Sequence, residues 1–329
     1  MKHIHLIEMG GTISAKGHNR LDLKDYTSGK IFAEQFIEDI PELKQLARLS
    51  FHSFSNLSST KLTPTDWLQL RQYIQAKLEE DAVDGIVLSH GTSTLEETAY
   101  FLHLSLPTKK PIVLVGAQRP YTALSSDAQM NLFQAILVAS SDEAQGKGVL
   151  VVANDHISSA WEVTKQSTYR LDTFQSQRHG FLGVVDADHT VQFYREPVRK
   201  HTYRSFFATQ PLEYLPEVAI TYSYAGASGE IIDYLRKSGK YKGIVTAGTG
   251  AGLITPEEIS ALKRASEEGI VVVRSSRVGS GRVMDIDPYK DTPFIAGDDL
   301  LPQKARILLM LAIATGLSTE EIQESFNYY

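Results

Sequence analysis

The sequence predicts an α/β protein of two domains with a mainly parallel sheet in the larger, N-terminal domain and a smaller α/β domain after it. Three observations carry this. Short β-rich runs alternate with amphipathic helical segments, which is the pattern of parallel strands joined by helical crossovers. The alternation breaks over residues 180–216 and then restarts. The length, 329 residues, suffices for two domains or one large α/β unit at ~100 to 200 residues per domain, and for a substantial core.

Taken in order, strands are expected over 3–8 (HIHLIE), 85–89 (GIVLS), 112–116 (IVLVG) and 148–153 (GVLVVA). Each is followed by polar or glycine-containing residues and then by a helical stretch. Thr63-Pro64-Thr65-Asp66 supplies an N-cap, a proline at the first helical position and an acidic third residue, and so opens a helix running to about Leu78. Further helices are expected over 94–105 and 126–140. Over 180–195 two short strands flank an Asp-Ala-Asp turn and interrupt the rhythm. Residues 196–216 carry three prolines and several charges without periodicity, and are expected to link a domain of residues 1–195 to one of residues 217–329. The rhythm resumes with strands at 218–223, 243–247 and 270–274. Helices near 228–237 and 256–267 separate them, the second opened by Thr255-Pro256-Glu257-Glu258. Two more helices follow, near 302–315 and 319–327, with Ser318 and Glu321 at capping-box spacing.

Composition narrows the chemistry. There is no cysteine, which removes disulfides, thiolate-held zinc, iron–sulfur clusters and cysteine nucleophiles together. Covalent chemistry then falls to Ser, Thr, Lys, Asp, Glu, Tyr or His. With 33 Lys and Arg against 39 Asp and Glu the net charge is −6, and no basic patch suggests nucleic acid as a partner. No stretch has the length and apolarity of a signal peptide or a membrane span, so a soluble, cytoplasmic protein is expected. Ten histidines are present without a His-Glu-x-x-His pattern, and His3 and His5 face one side of a strand with no further ligand in sight. No metal is expected.

Ligands of open α/β sheets bind beyond the carboxyl ends of the strands, so the residues there matter most. After the first strand comes Met9-Gly10-Gly11-Thr12-Ile13-Ser14. The glycines allow a sharp turn and close approach to a ligand, leaving the Thr12 hydroxyl on an exposed bend with backbone N–H groups near; an ordinary turn has the same composition. After 85–89 comes Ser89-His90-Gly91-Thr92-Ser93-Thr94-Leu95-Glu96-Glu97-Thr98. This suits an anionic group at a helix mouth, or simply a capped helix with Ser93 or Thr94 as the cap and Glu97 as its partner. After 148–153 come Asn154-Asp155-His156 and then Trp161-Glu162-Val163-Thr164-Lys165. A lone lysine is ordinarily a solvated charge, and becomes a base only where the fold desolvates it beside a hydroxyl.

These segments together resemble the bacterial-type L-asparaginases. The resemblance rests on Met-Gly-Gly-Thr-Ile at 9–13, His-Gly-Thr-Ser-Thr-Leu-Glu-Glu-Thr-Ala at 90–99, Gly116-Ala117-Gln118-Arg119-Pro120, Asn154-Asp155 and Glu162-Val163-Thr164-Lys165. It continues through Val273-Arg274-Ser275-Ser276-Arg277-Val278-Gly279-Ser280-Gly281 and Pro302-Gln303-Lys304-Ala305-Arg306, in order over nearly the whole chain. The resemblance implies the asparaginase-like two-domain fold and a homo-oligomer, dimer or tetramer, whose active sites are shared between subunits. It implies hydrolysis of a small-molecule side-chain amide, L-asparagine foremost, through an acyl-threonine and without a cofactor. By position it makes Thr12 the nucleophile, Tyr26 its partner on a mobile lid, and Thr92 with Lys165 a second hydroxyl–amine pair. It places the substrate against Ser59, Thr60 and Ser93, with the backbone of Gly11 and Gly91 alongside.

The sequence departs from the family pattern at the point where Gly-Thr-Asp-Thr is usual, because Ser93 stands at the Asp position. In the family that carboxylate pairs with the substrate α-ammonium. A second acidic residue normally comes from the partner's C-terminal domain; here Ile286 falls at that place, between Asp285 and Asp287, and either can substitute, Asp285 being counted among the substrate-binding residues. The residue after Ser59, commonly Gln, is Thr60. A charge-assisted hydrogen bond contributes roughly 1.5 to 3 kcal/mol, so an uncompensated loss weakens an α-amino-acid substrate by about one to two orders of magnitude. The alternative expectations are therefore an amidase for an asparagine-like amide lacking a free α-amine, and a catalytically silent ligand-binding homologue. A nucleotide-binding reading of Gly248-Thr249-Gly250-Ala251-Gly252 fails because Leu253 occupies the third glycine position of the dinucleotide fingerprint.

Overall fold

Strand β1 (His3–Glu8) lies inside the sheet of the first unit, between β2 (Arg48–Ser53) and β3 (Gly85–Ser89), parallel to both. The structure, a computed structural model, describes residues 1–176 and 178–329, which fall into two units, Met1–Thr209 and Gln210–Tyr329. In the first unit β4 (Ile112–Val115) and β5 (Val149–Ala153) extend the parallel series beyond β3. Then β6 (His156–Ser159), β7 (Gly183–Val185) and β8 (Val191–Phe193) run antiparallel to their neighbours, so the order across the sheet is β8-β7-β6-β5-β4-β3-β1-β2.

Every residue of β3, β4 and β5 is buried, as continuous apolar runs with helices on both faces require. The change of direction at β5 is made by Asn154 and Asp155, with φ of 53° and 65°. Two successive left-handed residues are the requirement of a type I′ hairpin, and Asn and Asp tolerate that region better than other side chains. The Asn-Asp pair singled out by resemblance is thus the turn of a hairpin. The strand β2 was not expected. Its sequence, RLSFHS, is polar and its burial slight, because it is the sheet's edge.

The helix Pro64–Glu79 begins with a complete capping box of Thr63 and Asp66, and Pro256–Glu267 and Thr319–Tyr328 begin likewise with Thr255/Glu258 and Ser318/Glu321. The helix Leu95–Ser105 is different. Thr94 is its N-cap but makes no capping bond; its hydroxyl donates to the Ser59 carbonyl at 2.9 Å. The expected capping by Ser93 or Thr94 gives way to a tie between two loops of the site.

Of the residues expected as linker, Thr202–Arg204 and Phe206–Thr209 form helical turns with Phe207 and Ala208 buried, and they belong to the first unit. The second unit holds a parallel sheet of β9 (Val218–Tyr222), β10 (Gly243–Gly248), β11 (Val271–Ser276) and β12 (Ile295–Ala296) in that order. Ile232, Ile244, Leu262, Val272 and Tyr289 are among the residues of its core. The glycine-rich run after β10 doubles back through a bridge between Thr249 and Leu253, well short of the next helix at Pro256. The run therefore does not itself open the helix.

Candidate active site

The carboxyl ends of β1, β3 and β4 lie side by side, with Glu8 paired to Ser89 and Ser89 to Val115, so the three following loops emerge together. Thr12 begins a 3₁₀ turn directly after the two glycines, both left-handed at φ 86° and 87°. Only glycine takes these angles without strain. Space is equally decisive: a Cβ on Gly11 would lie 2.3 Å from the Gly91 Cα, and one on Gly91 would lie 2.8 Å from the Ser59 Oγ. The loops after β1 and β3 thus touch backbone to backbone. Ser59, buried on its own 3₁₀ turn, sets its side chain against Gly91.

Two hydroxyl-centred pairs result. Thr12 Oγ1 is 2.9 Å from the Tyr26 hydroxyl. Tyr26 sits on a small antiparallel flap in which Tyr26–Thr27 pairs with Lys16–Gly17. The flap rests on the loop after β4, where Gly17 N donates to Thr122 Oγ1 at 3.1 Å and Leu124 N to the Arg20 carbonyl at 2.8 Å. In the second pair Lys165 Nζ donates to Thr92 Oγ1 at 2.7 Å. Burial disfavours the ammonium and holds the Lys165 pKa below the ordinary lysine value, an effect opposed by the negative charge of Glu96. Glu96 also accepts the Lys165 backbone N–H at 3.0 Å, which fixes where the side chain starts.

Thr12, Tyr26, Thr92, Ser93 and Lys165 line one open cleft of about 400 Å³, together with Gln118, Thr168 and Tyr169. Sequence reasoning assigned no role to those last three or to Glu96. The signal for Gln118 was its place just past a strand end; Thr168 and Tyr169 carry none. Of the other expected residues of the first unit, Gly11, Gly91, Ser59 and Thr60 are not among the lining residues, and the first three pack against one another. Thr60 is exposed and turns its hydroxyl to Ser58 Oγ at 2.9 Å, outside the cleft lining. Asp285 lies exposed in the second unit, where its charge favours the cationic form of Arg274, whose Nη2 donates to the Met284 carbonyl at 2.9 Å. Beneath the cleft floor His90 is fully buried, with Nδ1 2.8 Å from the Gly91 carbonyl and a pKa lowered to about 4 by burial. It is neutral there and holds the Gly91 peptide in place.

The family model described as Asparaginase, N-terminal matches residues 3–199, and the one described as Glutaminase/Asparaginase C-terminal domain matches residues 217–326. The chain belongs to the asparaginase family. It is an amidohydrolase of the L-asparaginase type. Over 329 residues it is 41% identical to L-asparaginase 2 of Bacillus subtilis strain 168, covering 100% of this chain and 87% of that one. With L-asparaginase 2 of Escherichia coli K12 it shares 38% identity over 331 residues, 100% of this chain and 94% of the other. A solved structure titled as a probable cytoplasmic L-asparaginase from Campylobacter jejuni matches with a TM-score of 0.96 at 39% identity, covering 100% of both chains. The asparaginase fold expected from the sequence, a large domain with a mostly parallel sheet and a smaller parallel one, is the fold found. Among the described residues no helix is long and apolar enough to cross a membrane.

Proposed function

We propose that this asparaginase-family chain hydrolyses the side-chain amide of L-asparagine through an ester on Thr12. The observation that carries this is that two activated hydroxyls, Thr12 with Tyr26 and Thr92 with Lys165, face one cleft. In the first half-reaction Thr12 Oγ attacks the amide carbon, the C–N bond breaks, and ammonia leaves carrying the threonine's proton. In the second, water attacks the ester, Thr12 recovers a proton and the product is released as carboxylate. A partly desolvated lysine beside Thr92 supplies a base that alternately takes and returns a proton through the hydroxyl. Tyr26, on the flap, orients Thr12 and covers the ester until water is admitted. Intact-mass measurement with a slowly turned-over amide tests the reading: an adduct on Thr12 supports it, and binding with neither adduct nor turnover favours a silent binding protein.

A second reading concerns the substrate. The cleft lining contains Lys165 but no carboxylate, and Ser93 is exposed where a substrate ammonium would be met. This favours an asparagine-like amide without a free α-amine, unless a second copy of the chain contributes an acidic residue such as Asp285. Ammonia release from asparagine, succinamate and N-acetylasparagine separates the two, and a clear preference for free asparagine rules out the second. Light scattering across a dilution series, with activity followed in parallel, tests whether the active form is a homo-oligomer with shared sites. We also propose a cytoplasmic location, which fractionation of the producing cells checks.

A further inference from the structure

The Gln118 amide sits between the Thr92–Lys165 pair and the loop that follows Lys165. Its Oε1 lies 3.1 Å from Lys165 Nζ and 3.2 Å from Thr92 Oγ1. Its Nε2 faces the carbonyls of Ser167 at 3.5 Å and Arg170 at 3.2 Å. Carbonyls only accept, and a lysine head group offers N–H in either charge state, so the chemistry on both sides fixes which end of the amide points where. Turning it over would set an NH₂ against an amine and an oxygen against two carbonyls. Gln118 is itself buried, which leaves little room for that reversal.

Resting on the reading of Lys165 as the base for Thr92, we propose that Gln118 is a positioning residue whose carbonyl oxygen decides which hydrogen points along the Thr92–Lys165 line. One acceptor serves two donors in turn. When Lys165 is an ammonium, it donates to Thr92 and the Thr92 hydroxyl hydrogen rests on Gln118. When Lys165 is a free amine, one of its N–H groups takes the Gln118 oxygen. Its lone pair then faces Thr92, whose hydrogen swings from Gln118 to Nζ over the 2.7 Å contact. Proton transfer thus needs a hydroxyl rotation and no side-chain movement. Because the other end of Gln118 is tied to Ser167 and Arg170, the same residue holds the loop bearing Thr168 and Tyr169, two further residues of the cleft wall.

Among the described residues, the charged and titratable groups placed with Lys165 are Glu96 from the helix after β3, and Tyr26 and Tyr169, which line the same cleft. Arg170 pairs its guanidinium with Asp172. A charge introduced at position 118 is therefore expected to dominate.

The test uses the full-length protein and the variants Gln118→Glu, Gln118→Met and Lys165→Met, with the pH dependence of kcat/KM for asparagine as readout. Gln118→Glu places a carboxylate in contact with the ammonium, and its activity limb is expected to move to higher pH by about 1 unit or more, recovering to within about 10-fold of the parent at high pH. Gln118→Met keeps the bulk without the acceptor; kcat is expected to fall about 10- to 100-fold, with the limb moving to lower pH. Profiles of both variants that superimpose on the parent's in position overturn the proposal. Should Gln118→Glu not fold, Gln118→Met alone decides, since replacing a residue that served only for packing with one of similar bulk would leave the pH limb where it is. Lys165→Met separates this failure from that of the underlying reading: an active Lys165→Met removes the base itself, whereas an inactive one beside unshifted Gln118 profiles removes only the role of Gln118.

Discussion

A lysine amine can lie 2.7 Å from a threonine hydroxyl anywhere on a surface; what makes this pair chemical is that Lys165 is drawn out of water while Glu96 pins its backbone. Lys165→Met is expected to reduce kcat by about 10²- to 10⁴-fold, the range of a lost acid–base group, whereas Tyr26→Phe, which removes only the 2.9 Å partner of Thr12, should keep measurable turnover. Steady-state ammonia assays above and below neutrality check both, because the parent's activity should rise with pH as the amine loses its proton. Thr12 and Thr92 were legible as hydroxyls just past strand ends, whereas Lys165 lies well beyond its strand and was singled out by the family resemblance. Gln118 was visible only as part of a motif, because its role depends on partners 26 to 52 positions away that the fold alone assembles. A second residue effect lies behind the nucleophile. Glu8 ends β1 buried, and burial raises its pKa to about 7, against the Ala33 backbone hydrogen bond that favours the anion and with a small further rise from Glu34. A raised carboxyl pKa gives stability that is present below the unfolded value and is lost as pH rises through the folded one. Glu8→Gln should therefore stabilise the protein by about 1 to 3 kcal/mol at pH 8 and by little at pH 4.5, as read from urea midpoints at the two pH values.

At the scale of elements, the site is made by loops that can approach only because glycines replace side chains where they meet. Gly11→Ala adds a Cβ 2.3 Å from the Gly91 Cα on a residue at φ 87°, so it must push apart the loops that carry Thr12 and Thr92. Activity is expected to fall at least about 100-fold, with a loss of stability of roughly 2 to 4 kcal/mol. Gly281→Ala, at φ 103° with nothing near its Cβ, controls for backbone strain alone and should leave the first unit's melting unchanged. A melting curve and an ammonia assay on each variant suffice. The parallel strands and the three capping boxes were legible because apolar runs and cap residues act locally. The strand β2 was not, because an edge strand earns its place by pairing with β1, which no local pattern encodes. The hairpin at Asn154-Asp155 was present in the sequence as a two-residue turn signal, yet its second strand, His156–Ser159, is the polar HISS and does not read as a strand by itself.

At the scale of the whole molecule, titratable groups are distributed very unevenly. All ten histidines lie in the first unit, and His5, His90 and His201 are each lowered to about 4 chiefly by burial. A base whose folded pKa is depressed below its unfolded value near 6.5 leaves stability intact above 6.5 and withdraws it as pH falls toward the folded value, because only the unfolded chain takes up the proton. Each such group can remove up to about 3 kcal/mol by pH 4, against typical domain stabilities of ~5 to 15 kcal/mol, while Glu8 works in the opposite direction between its unfolded value and about 7. His156 is lowered by burial as well, so four histidines stand against Glu8 and leave a net acid loss in the first unit. Acidification from pH 7 to 4.5 should therefore lower the melting temperature of Met1–Thr209 steeply and that of Gln210–Tyr329 little, so that a single thermal transition separates into two. The two tryptophans, Trp67 and Trp161, both belong to the first unit and report on it alone, whereas calorimetry reports on both. Fluorescence melting that falls ahead of the calorimetric midpoint as pH drops, with ammonia release lost along the fluorescence curve, is the expected result. Coincident transitions throughout the range would contradict it, and would mean that the second unit unfolds with the first instead of outlasting it.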